Sequence, residues 1–373
     1  MIEPYIIDTT LRDGEQAPGV VFSKKEKMKI AYMLEEMGVD EVEIGTPAIS
    51  NEEKKIIKAI ASEGFSYKTS SWCRANMNDI KEASTLKTTS INISLPVSDI
   101  QINTLGRSRD WVLSELKKTT MYACSYFNHV TVGAQDATRA NIQFLHEYIS
   151  LAKEFGANRI RIADTVGISS PLEIQELFLN LSSHFPNMEF EFHGHNDLGM
   201  ATANAITAYK SGAKCLSATV NGLGERAGNS VLEELIAYFI YKENSVAYNG
   251  EIVSTLCNFV ADIAKVKLAL NKPLIGEKVH THESGIHTSA ILKNKKSYQF
   301  INPSDFGVDT EKTAFCFGKH SGKASIHHFF KEKNLLLDDQ RIQQILNLVK
   351  ESASSWKRPL TEIDLMQIYL ANS

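Results

Sequence analysis

Strand-like segments alternate with helix-like segments from residue 5 to about residue 245, and this alternation constrains the fold more than any other feature. The helix-like segments repeat apolar residues with a helical period, whereas the strand candidates are short and rich in β-branched and aromatic residues. The eight strand candidates are Tyr5–Thr9, Glu41–Gly45, Tyr67–Trp72, Ser90–Ser94, His129–Gly133, Arg159–Ala163, Glu189–His193 and Cys215–Val220. Eight alternating β and α units predict a parallel sheet closed into a (β/α)8 TIM barrel.

The helical signal is clearest over Lys24–Met37, where Ser23 and Gly38 supply the usual start and stop residues. A second strong helical pattern covers Ala140–Phe155. After residue 249 the alternation gives way to helical segments around an irregular stretch. We therefore expect an α/β catalytic barrel over residues 1–250 and a smaller, mainly helical lid and dimerisation region over residues 251–373.

Composition argues against several classes of protein. Forty basic and forty-four acidic residues give a net charge of -4, without the basic patch that nucleic-acid binding requires. The five cysteines are scattered and form no C-x-x-C pair, so neither structural zinc nor disulfides are expected. No apolar run approaches the roughly 20 residues of a membrane span, and the N-terminus does not resemble a secretion signal. We expect a soluble, cytoplasmic protein, and small anionic substrates stay possible because a few arginines can bind them without changing the net charge.

Three side chains at predicted strand ends suit a catalytic metal. Asp13 follows the first strand, and His193 and His195 lie at the end of the seventh. Residues two apart on a strand point to the same face, and the strand ends of a barrel meet at one face of the fold. One carboxylate and two imidazoles leave coordination positions open for a substrate. Asn229 either approaches the same ion or caps the helix that follows the eighth strand.

These residues belong to motifs that resemble the Claisen-condensing acyltransferases, the family of homocitrate, isopropylmalate, citramalate and Re-type citrate synthases. The motifs are D-T-T-L-R-D-G-E-Q-A-P-G at 8–19, E-I-G-T-P at 43–47, A-D-T-V-G at 163–167, H-G-H-N-D-L-G at 193–199, N-G-L-G-E-R-A-G-N at 221–229 and S-G-I-H at 284–287. Within this family the chain most resembles the short homocitrate synthases of nitrogenase-cofactor biosynthesis, through W-C-R-A at 72–75 and G-A-Q-D-A-T-R-A at 133–140.

The resemblance implies an activity: condensation of acetyl-CoA with a 2-oxo acid at a divalent zinc, manganese, magnesium or cobalt ion, followed by release of CoA. It implies that Arg12 stabilises the developing oxyanion and that Thr165 binds the 1-carboxylate. It selects His287, rather than the nearby His280 and His282, as the base that deprotonates the acetyl methyl group. The base is expected to be held by Glu191, with Tyr298 close by.

The preferred co-substrate is 2-oxoglutarate, which gives homocitrate. The resemblance places Arg139 at the distal carboxylate, with Arg74 as a further cation. Gln16 and Glu43 are expected in the same substrate site. Gln135 and Asn141 depart from the family pattern in this region, so oxaloacetate stays open as the main alternative, along with a phosphonate-bearing 2-oxo acid. The two arginines argue against 2-oxoisovalerate, and less strongly against pyruvate, because unpaired buried charge is costly.

Two other classes share the barrel and the metal. A hydroxymethylglutaryl-CoA lyase would carry a cysteine in the loop after the eighth strand, and residues 221–229 contain none. A biotin-dependent carboxyltransferase would need a lysine ligand at the end of the sixth strand, and residues 161–165 offer none. As in relatives with exchanged C-terminal segments, the lid is expected to reach the neighbouring barrel of a homodimer.

Overall fold

A computed structural model describes residues 3–309 and 315–372. In these residues eight parallel strands follow one another around a closed barrel, and β8 pairs with β1 to complete it. The strands are β1 Tyr5–Asp8, β2 Glu41–Gly45, β3 Lys68–Arg74, β4 Ser90–Pro96, β5 His129–Gln135, β6 Arg159–Asp164, β7 Glu189–Gly194 and β8 Cys215–Ala218. The predicted (β/α)8 barrel is confirmed, and the predicted strands differ from the observed ones only at their ends.

Helices follow the strands and cover the barrel. They are α1 Lys24–Met37, α2 Asn51–Ala61, α3 Met77–Ala83, α4 Asp99–Thr104, α5 Arg109–Cys124, α6 Ile142–Glu154, α7 Pro171–His184, α8 Ala201–Lys210, α9 Leu232–Lys242 and α10 Val253–Ala264. Helix α1 has the predicted bounds, because Ser23 and Glu26 form a capping box and Gly38 ends the helix in the left-handed conformation. No helix in the described ranges is long and apolar enough to cross a membrane.

The barrel interior contains buried charges in place of the usual apolar layers. Along β2, β6 and β7, glutamate or arginine alternates with apolar residues, so the charged side chains share one face of the sheet. Arg159 contacts Glu41 across the barrel at 2.9 Å, and one layer nearer the carboxyl ends Arg161 contacts Glu43 at 2.8 Å. Each buried cation therefore faces a buried anion, which offsets part of the desolvation cost.

The chain divides into two compact units, residues 1–267 and 268–373. The first unit includes α10, whereas the sequence pattern predicts a boundary after residue 250. The second unit contains α11 Gly285–Lys293, α12 Lys323–Glu332, α13 Asp339–Trp356 and α14 Glu362–Ala371. Its apolar core is built from Phe317, Ile326, Phe329, Phe330, Ile342, Ile345, Leu346, Val349, Ala353, Leu360 and Leu365.

Candidate metal centre and active site

The loop after β1 presents Arg12 and Asp13 at the carboxyl end of the barrel. The carbonyl oxygen of Thr9 accepts hydrogen bonds from the amides of Arg12 and Asp13 at 3.1 and 2.8 Å, which folds the chain into a tight turn. The fully buried ammonium of Lys27 donates to the carbonyl oxygen of Leu11 at 3.1 Å and pairs with two glutamates. The turn is therefore fixed both by its own backbone and by a buried ion pair from α1.

Asp13, His193 and His195 form the candidate metal centre. One possible ligand atom from each residue lies within 4.8 Å of the others, and all three residues are buried. The Nε2 atom of His193 is 3.1 Å from an Oδ atom of Asp13. The predicted convergence of these three side chains from β1 and β7 is thus present.

The end of β7 accounts for how the two histidines reach the same point. They lie two residues apart, and the glycine between them lets the strand pack tightly, because a Cβ atom on Gly194 would lie 2.6 Å from the ring of Phe192. The amide of His195 donates to the carbonyl oxygen of Asp164 on β6 at 3.2 Å. The sheet therefore continues far enough to fix both imidazoles.

Asn229 lies beside His195, with which it forms an isolated antiparallel bridge. Its Nδ2 donates to the carbonyl oxygen of Leu223 at 3.0 Å. Its Oδ1 is buried and has no hydrogen-bond partner among the described residues. Helix α9 starts later, at Leu232, and its N-cap is Val231 without a side-chain bond. Of the two roles considered for Asn229, the helix cap is therefore wrong.

The protonation states at this centre suit a divalent cation. Burial opposes ionisation of Asp13, but the Arg12 guanidinium and the His193 imidazole outweigh it and hold the pKa of Asp13 well below its usual range. Burial and the neighbouring His193 lower the pKa of His195 to about 4. At neutral pH the centre therefore offers an ionised carboxylate and a neutral imidazole, and with the amide oxygen of Asn229 this donor set fits zinc, manganese, magnesium or cobalt.

A cavity of about 250 Å³ opens at the centre, and two of the five predicted substrate-binding residues line it. Its lining comprises Arg12, Asp13, Gln16, Trp72, Ser94, Gly133, Gln135, Arg161, Ala163, Thr165, His193, His195, Glu225 and Arg226. The predicted residues Gln16 and Thr165 thus share one cavity with the metal centre. It lies at the face of the barrel where TIM-barrel enzymes place their chemistry.

Glu43 lies beneath this cavity and does not line it. It is fully buried and accepts hydrogen bonds from Arg12 Nε at 2.5 Å, Arg161 Nη2 at 2.8 Å and Asn92 Nδ2 at 3.1 Å. Burial alone would raise the pKa of Glu43, but Arg12 and Arg161 outweigh it and lower this pKa to about 2. Glu43 therefore contacts the guanidinium of Arg12 rather than the cavity.

Glu191 belongs to the same buried layer. It is fully buried, lies 2.5 Å from Arg161 Nε and accepts a hydrogen bond from the Ser217 hydroxyl. The predicted partner of Glu191, His287, lies in the second unit, where its ring stacks on that of Tyr298 with 4.0 Å between centroids. His287 and Tyr298 are thus adjacent as expected, and their roles in proton transfer stay predictions.

Arg74 and Arg139 are not among the residues that line the cavity. Arg74, at the end of β3, is largely exposed and forms two hydrogen bonds with Asp79, at 2.7 and 3.0 Å. Arg139 forms a similar pair with Asp136, at 2.8 and 2.7 Å. Both predicted cations of the distal carboxylate site are therefore engaged by nearby aspartates, and their contact with substrate stays a prediction.

Several cavity residues are absent from the predicted site, among them Trp72, Arg161 and Arg226. Trp72 and Arg161 lie on β3 and β6, and Arg226 lies in the loop after β8. A signal for Arg161 was present in the alternation Arg159-Ile160-Arg161, which places both arginines on one face of the strand. That face becomes the barrel interior only when the sheet closes, which the local pattern does not reveal.

Comparisons with known proteins agree with this architecture. The family model described as HMGL-like matches residues 3–260, and the model described as homocitrate synthase post-HMGL domain-like matches residues 274–357. The protein named 2-isopropylmalate synthase 2 of Caldanaerobacter subterraneus subsp. tengcongensis is 38% identical over 98% of this chain and 94% of its own length. Homocitrate synthase 1 of Nostoc sp. is 37% identical over 99% of this chain and 97% of its own length.

A likeness in structure extends the comparison to the fold. The hydroxymethylglutaryl-CoA lyase of Pseudomonas aeruginosa superposes with a TM-score of 0.63, covering 70% of this chain and 93% of the lyase at 15% identity. At this low identity the likeness concerns the fold of the barrel alone.

Proposed function

This chain belongs to the HMGL-like family, and within it to the synthases that condense acetyl-CoA with a 2-oxo acid. From that premise we propose a specific reaction for it. The enzyme joins the methyl carbon of acetyl-CoA to the keto carbon of a 2-oxo acid and hydrolyses the thioester to release CoA. The proposed co-substrate is 2-oxoglutarate and the proposed product is homocitrate.

One observation carries the reaction type: the metal centre, Arg12 and Thr165 line the same cavity. Asp13, His193, His195 and Asn229 are the residues that would hold the ion. When bound, such an ion acts as a Lewis acid that polarises a carbonyl oxygen. Because the lining has both cationic and hydroxyl donors, it suits a small acid that carries a carboxylate next to a keto group.

In this proposal Arg12 stabilises the negative charge that develops on the keto oxygen. Its guanidinium is held by Glu43 at 2.5 Å and Asp13 at 3.3 Å, and its central carbon lies 5.7 Å from the ring centre of Trp72. A cation fixed by buried partners needs little reorganisation when charge develops beside it, which is the basis of electrostatic catalysis.

For the proton transfer we assign His287 as the base that removes a proton from the acetyl methyl group, with Tyr298 stacked on it. The match to S-G-I-H at 284–287 supports this assignment. The stacking contact within the second unit restricts the orientation of the imidazole. Glu191 acts in this proposal through the buried layer, where it balances the charge of Arg161.

A second co-substrate class is favoured by the cavity wall. Trp72, Ser94, Gly133 and Ala163 are uncharged, and Arg139 is paired with Asp136 outside the lining. Such a wall suits a small, uncharged side arm, as in pyruvate or 2-oxoisovalerate, because an unpaired carboxylate is costly to bury. The sequence identity between this chain and a relative named 2-isopropylmalate synthase 2 supports this alternative.

The test is release of CoA thiol from acetyl-CoA by the purified, metal-loaded enzyme with 2-oxoglutarate, oxaloacetate, pyruvate, 2-oxoisovalerate or 3-phosphonopyruvate. Each acid is assayed with and without a chelator, and the product is identified by mass spectrometry. Chelator-sensitive turnover led by 2-oxoglutarate is expected. If another acid gives the fastest turnover, that acid replaces 2-oxoglutarate as the proposed co-substrate and the proposed product changes with it. If no acid gives thiol release, the condensation is refuted.

We also propose a cytoplasmic homodimer in which the second unit of one protomer completes the barrel of the other. Light scattering after size exclusion measures the mass. Mixing the inactive variants Asp13→Asn and His287→Ala under conditions of subunit exchange should restore part of the activity. If the mixture stays inactive although subunit exchange has been verified, the proposal of a shared site is refuted.

A further inference from the structure

The turn after β5 is strained at Asp136. This residue has φ 62° and ψ 37°, a left-handed conformation uncommon for residues other than glycine, and it is fully buried. It directly follows Gln135, which lines the cavity. Strained, buried residues persist only where the surrounding contacts determine the conformation, so the contacts of Asp136 indicate what the turn is built to hold.

Two side chains hold the carboxylate of Asp136. Arg139 donates from Nε at 2.8 Å to one oxygen and from Nη2 at 2.7 Å to the other. The buried hydroxyl of Ser98, at the start of α4, donates to the same carboxylate. The arginine therefore neutralises a buried charge through a planar, two-point contact.

The backbone of Asp136 in turn fixes the orientation of a cavity hydroxyl. Its amide donates to Thr165 Oγ1 at 2.8 Å. A hydroxyl that already accepts a hydrogen bond has its own hydrogen left to donate to another group. The carbonyl oxygen of Thr165 also accepts a hydrogen bond from Arg226 Nη2 at 2.7 Å, which fixes its backbone. Thr165 is thereby held as a hydrogen-bond donor at the cavity wall.

We propose that Arg139 is a positioning residue that acts through Asp136 to hold Thr165 as the donor to the carboxylate next to the keto group. This inference rests on the proposed function, because it takes the ligand to be a 2-oxo acid. That carboxylate is common to every 2-oxo acid. Arg139 therefore controls the binding of all of them alike and does not select among side arms.

This role differs from direct contact between Arg139 and a distal carboxylate. Arg139 does not line the cavity, and turning its guanidinium towards a ligand there would weaken its two-point contact with Asp136, a fully buried carboxylate whose other side-chain donor among the described residues is Ser98. Leaving a fully buried carboxylate without its cation in this way is unfavourable. The two roles predict different selectivity, which makes them separable by experiment.

The experiment measures binding of 2-oxoglutarate, oxaloacetate and pyruvate to the metal-loaded protein by titration calorimetry, with Arg139→Gln compared with wild type. We expect the dissociation constant of each acid to rise by a similar factor, roughly ten- to hundredfold, the value of a hydrogen bond to a charged group. The Michaelis constant for acetyl-CoA should not change. In a Thr165→Val background, the substitution Arg139→Gln should change these dissociation constants little further.

Two further variants keep the test independent of a folding defect. Arg109→Gln is the matched control, since Arg109 forms an equivalent two-point pair with Asp99, at 2.8 and 2.7 Å, on the protein surface and does not line the cavity. Arg139→Lys retains a charge and one donor for Asp136, and should recover part of the lost affinity. Thermal unfolding of each variant verifies that the fold is intact.

A loss confined to the dicarboxylic acids would overturn the proposal and return Arg139 to the distal carboxylate. Unchanged binding of all three acids would overturn it as well, as would a full additional loss in the Thr165→Val background. Binding is measured without turnover, so wild-type protein that binds the acids but releases no thiol would refute the condensation and leave the role of Arg139 intact.

Discussion

Replacing Glu43 by glutamine removes a carboxylate that neutralises two arginines in the centre of the barrel. Glu43 is fully buried and contacts Arg12 at 2.5 Å and Arg161 at 2.8 Å. Glutamine has nearly the same size, so the exchange leaves no cavity. What changes is the charge, because two buried cations then share fewer anions, and the amide nitrogen must face a guanidinium that also donates.

The size of the effect follows from the pKa of Glu43, which its surroundings lower from 4.5 to about 2. This depression corresponds to about 3 kcal/mol of unfolding free energy at neutral pH. This value agrees with the cost of breaking a buried ion pair in other proteins, which is about 3 to 5 kcal/mol. Since the folded-state pKa is depressed, the contribution is complete above pH 4.5 and is lost as the pH falls towards 2. The difference between variant and wild type should therefore shrink in that interval.

Equilibrium unfolding in guanidinium chloride measures this difference, with metal removed so that ion binding does not add to stability. A Trp356→Phe background leaves Trp72 and Trp111 as the fluorophores, both in the barrel unit. Glu189→Gln is the control, because Glu189 pairs with an arginine of the same barrel at 2.6 Å but is 35% exposed. The unfolding free energy of this control variant should fall by less than about 1 kcal/mol relative to wild type. If Glu43→Gln is no more destabilising than this control, the reasoning about the buried charge layer is refuted.

Three further predictions concern the metal centre and its support. His193→Ala should abolish binding of one divalent ion, measured by titration calorimetry against the exposed His184→Ala as control. Lys27→Met should lower the unfolding free energy by about 3 kcal/mol, because it leaves two glutamates without their buried cation; thermal and denaturant unfolding verify this. Gly228→Ala should weaken ion binding at least tenfold, since a Cβ atom there would lie 1.9 Å from the carbonyl oxygen of Gly222 and displace the neighbouring ligand loop; unchanged affinity would contradict this role for the loop.

The barrel and the metal centre could be predicted from sequence because both depend on local patterns. The strand period and the caps of α1 are encoded within a few residues, as the capping box of Ser23 shows. Asp13, His193 and His195 follow from the rule that strand ends of a barrel share one face. The partners of Arg74 and Arg139 could not be predicted with equal force. Asp79 and Asp136 lie five and three residues from these arginines in the chain, but only the three-dimensional turns show that the side chains meet.

The charged interior was also ambiguous in the sequence for a physical reason. Alternation such as Glu41-Val42-Glu43 is typical of a strand with one face in water, and in an open sheet the glutamates would be exposed. In a closed barrel that face is the interior, so the same pattern places the charges where each must find a partner. Arg159 and Arg161 on β6 supply those partners for Glu41 and Glu43.

This pairing bears on which 2-oxo acid the cavity accepts. Arg161 is balanced by Glu43 and Glu191, and Arg226 is bound to Asp197 at 2.8 Å. Arg12 is also paired, so among the described lining residues a second carboxylate on the substrate must share every arginine with an acidic partner, at an electrostatic cost. A dicarboxylic acid must therefore recover that cost through its own contacts, whereas an uncharged side arm need not. Selectivity for 2-oxoglutarate would thus require contacts that outweigh this cost, and the order of acids in the thiol assay tests whether the cavity supplies them.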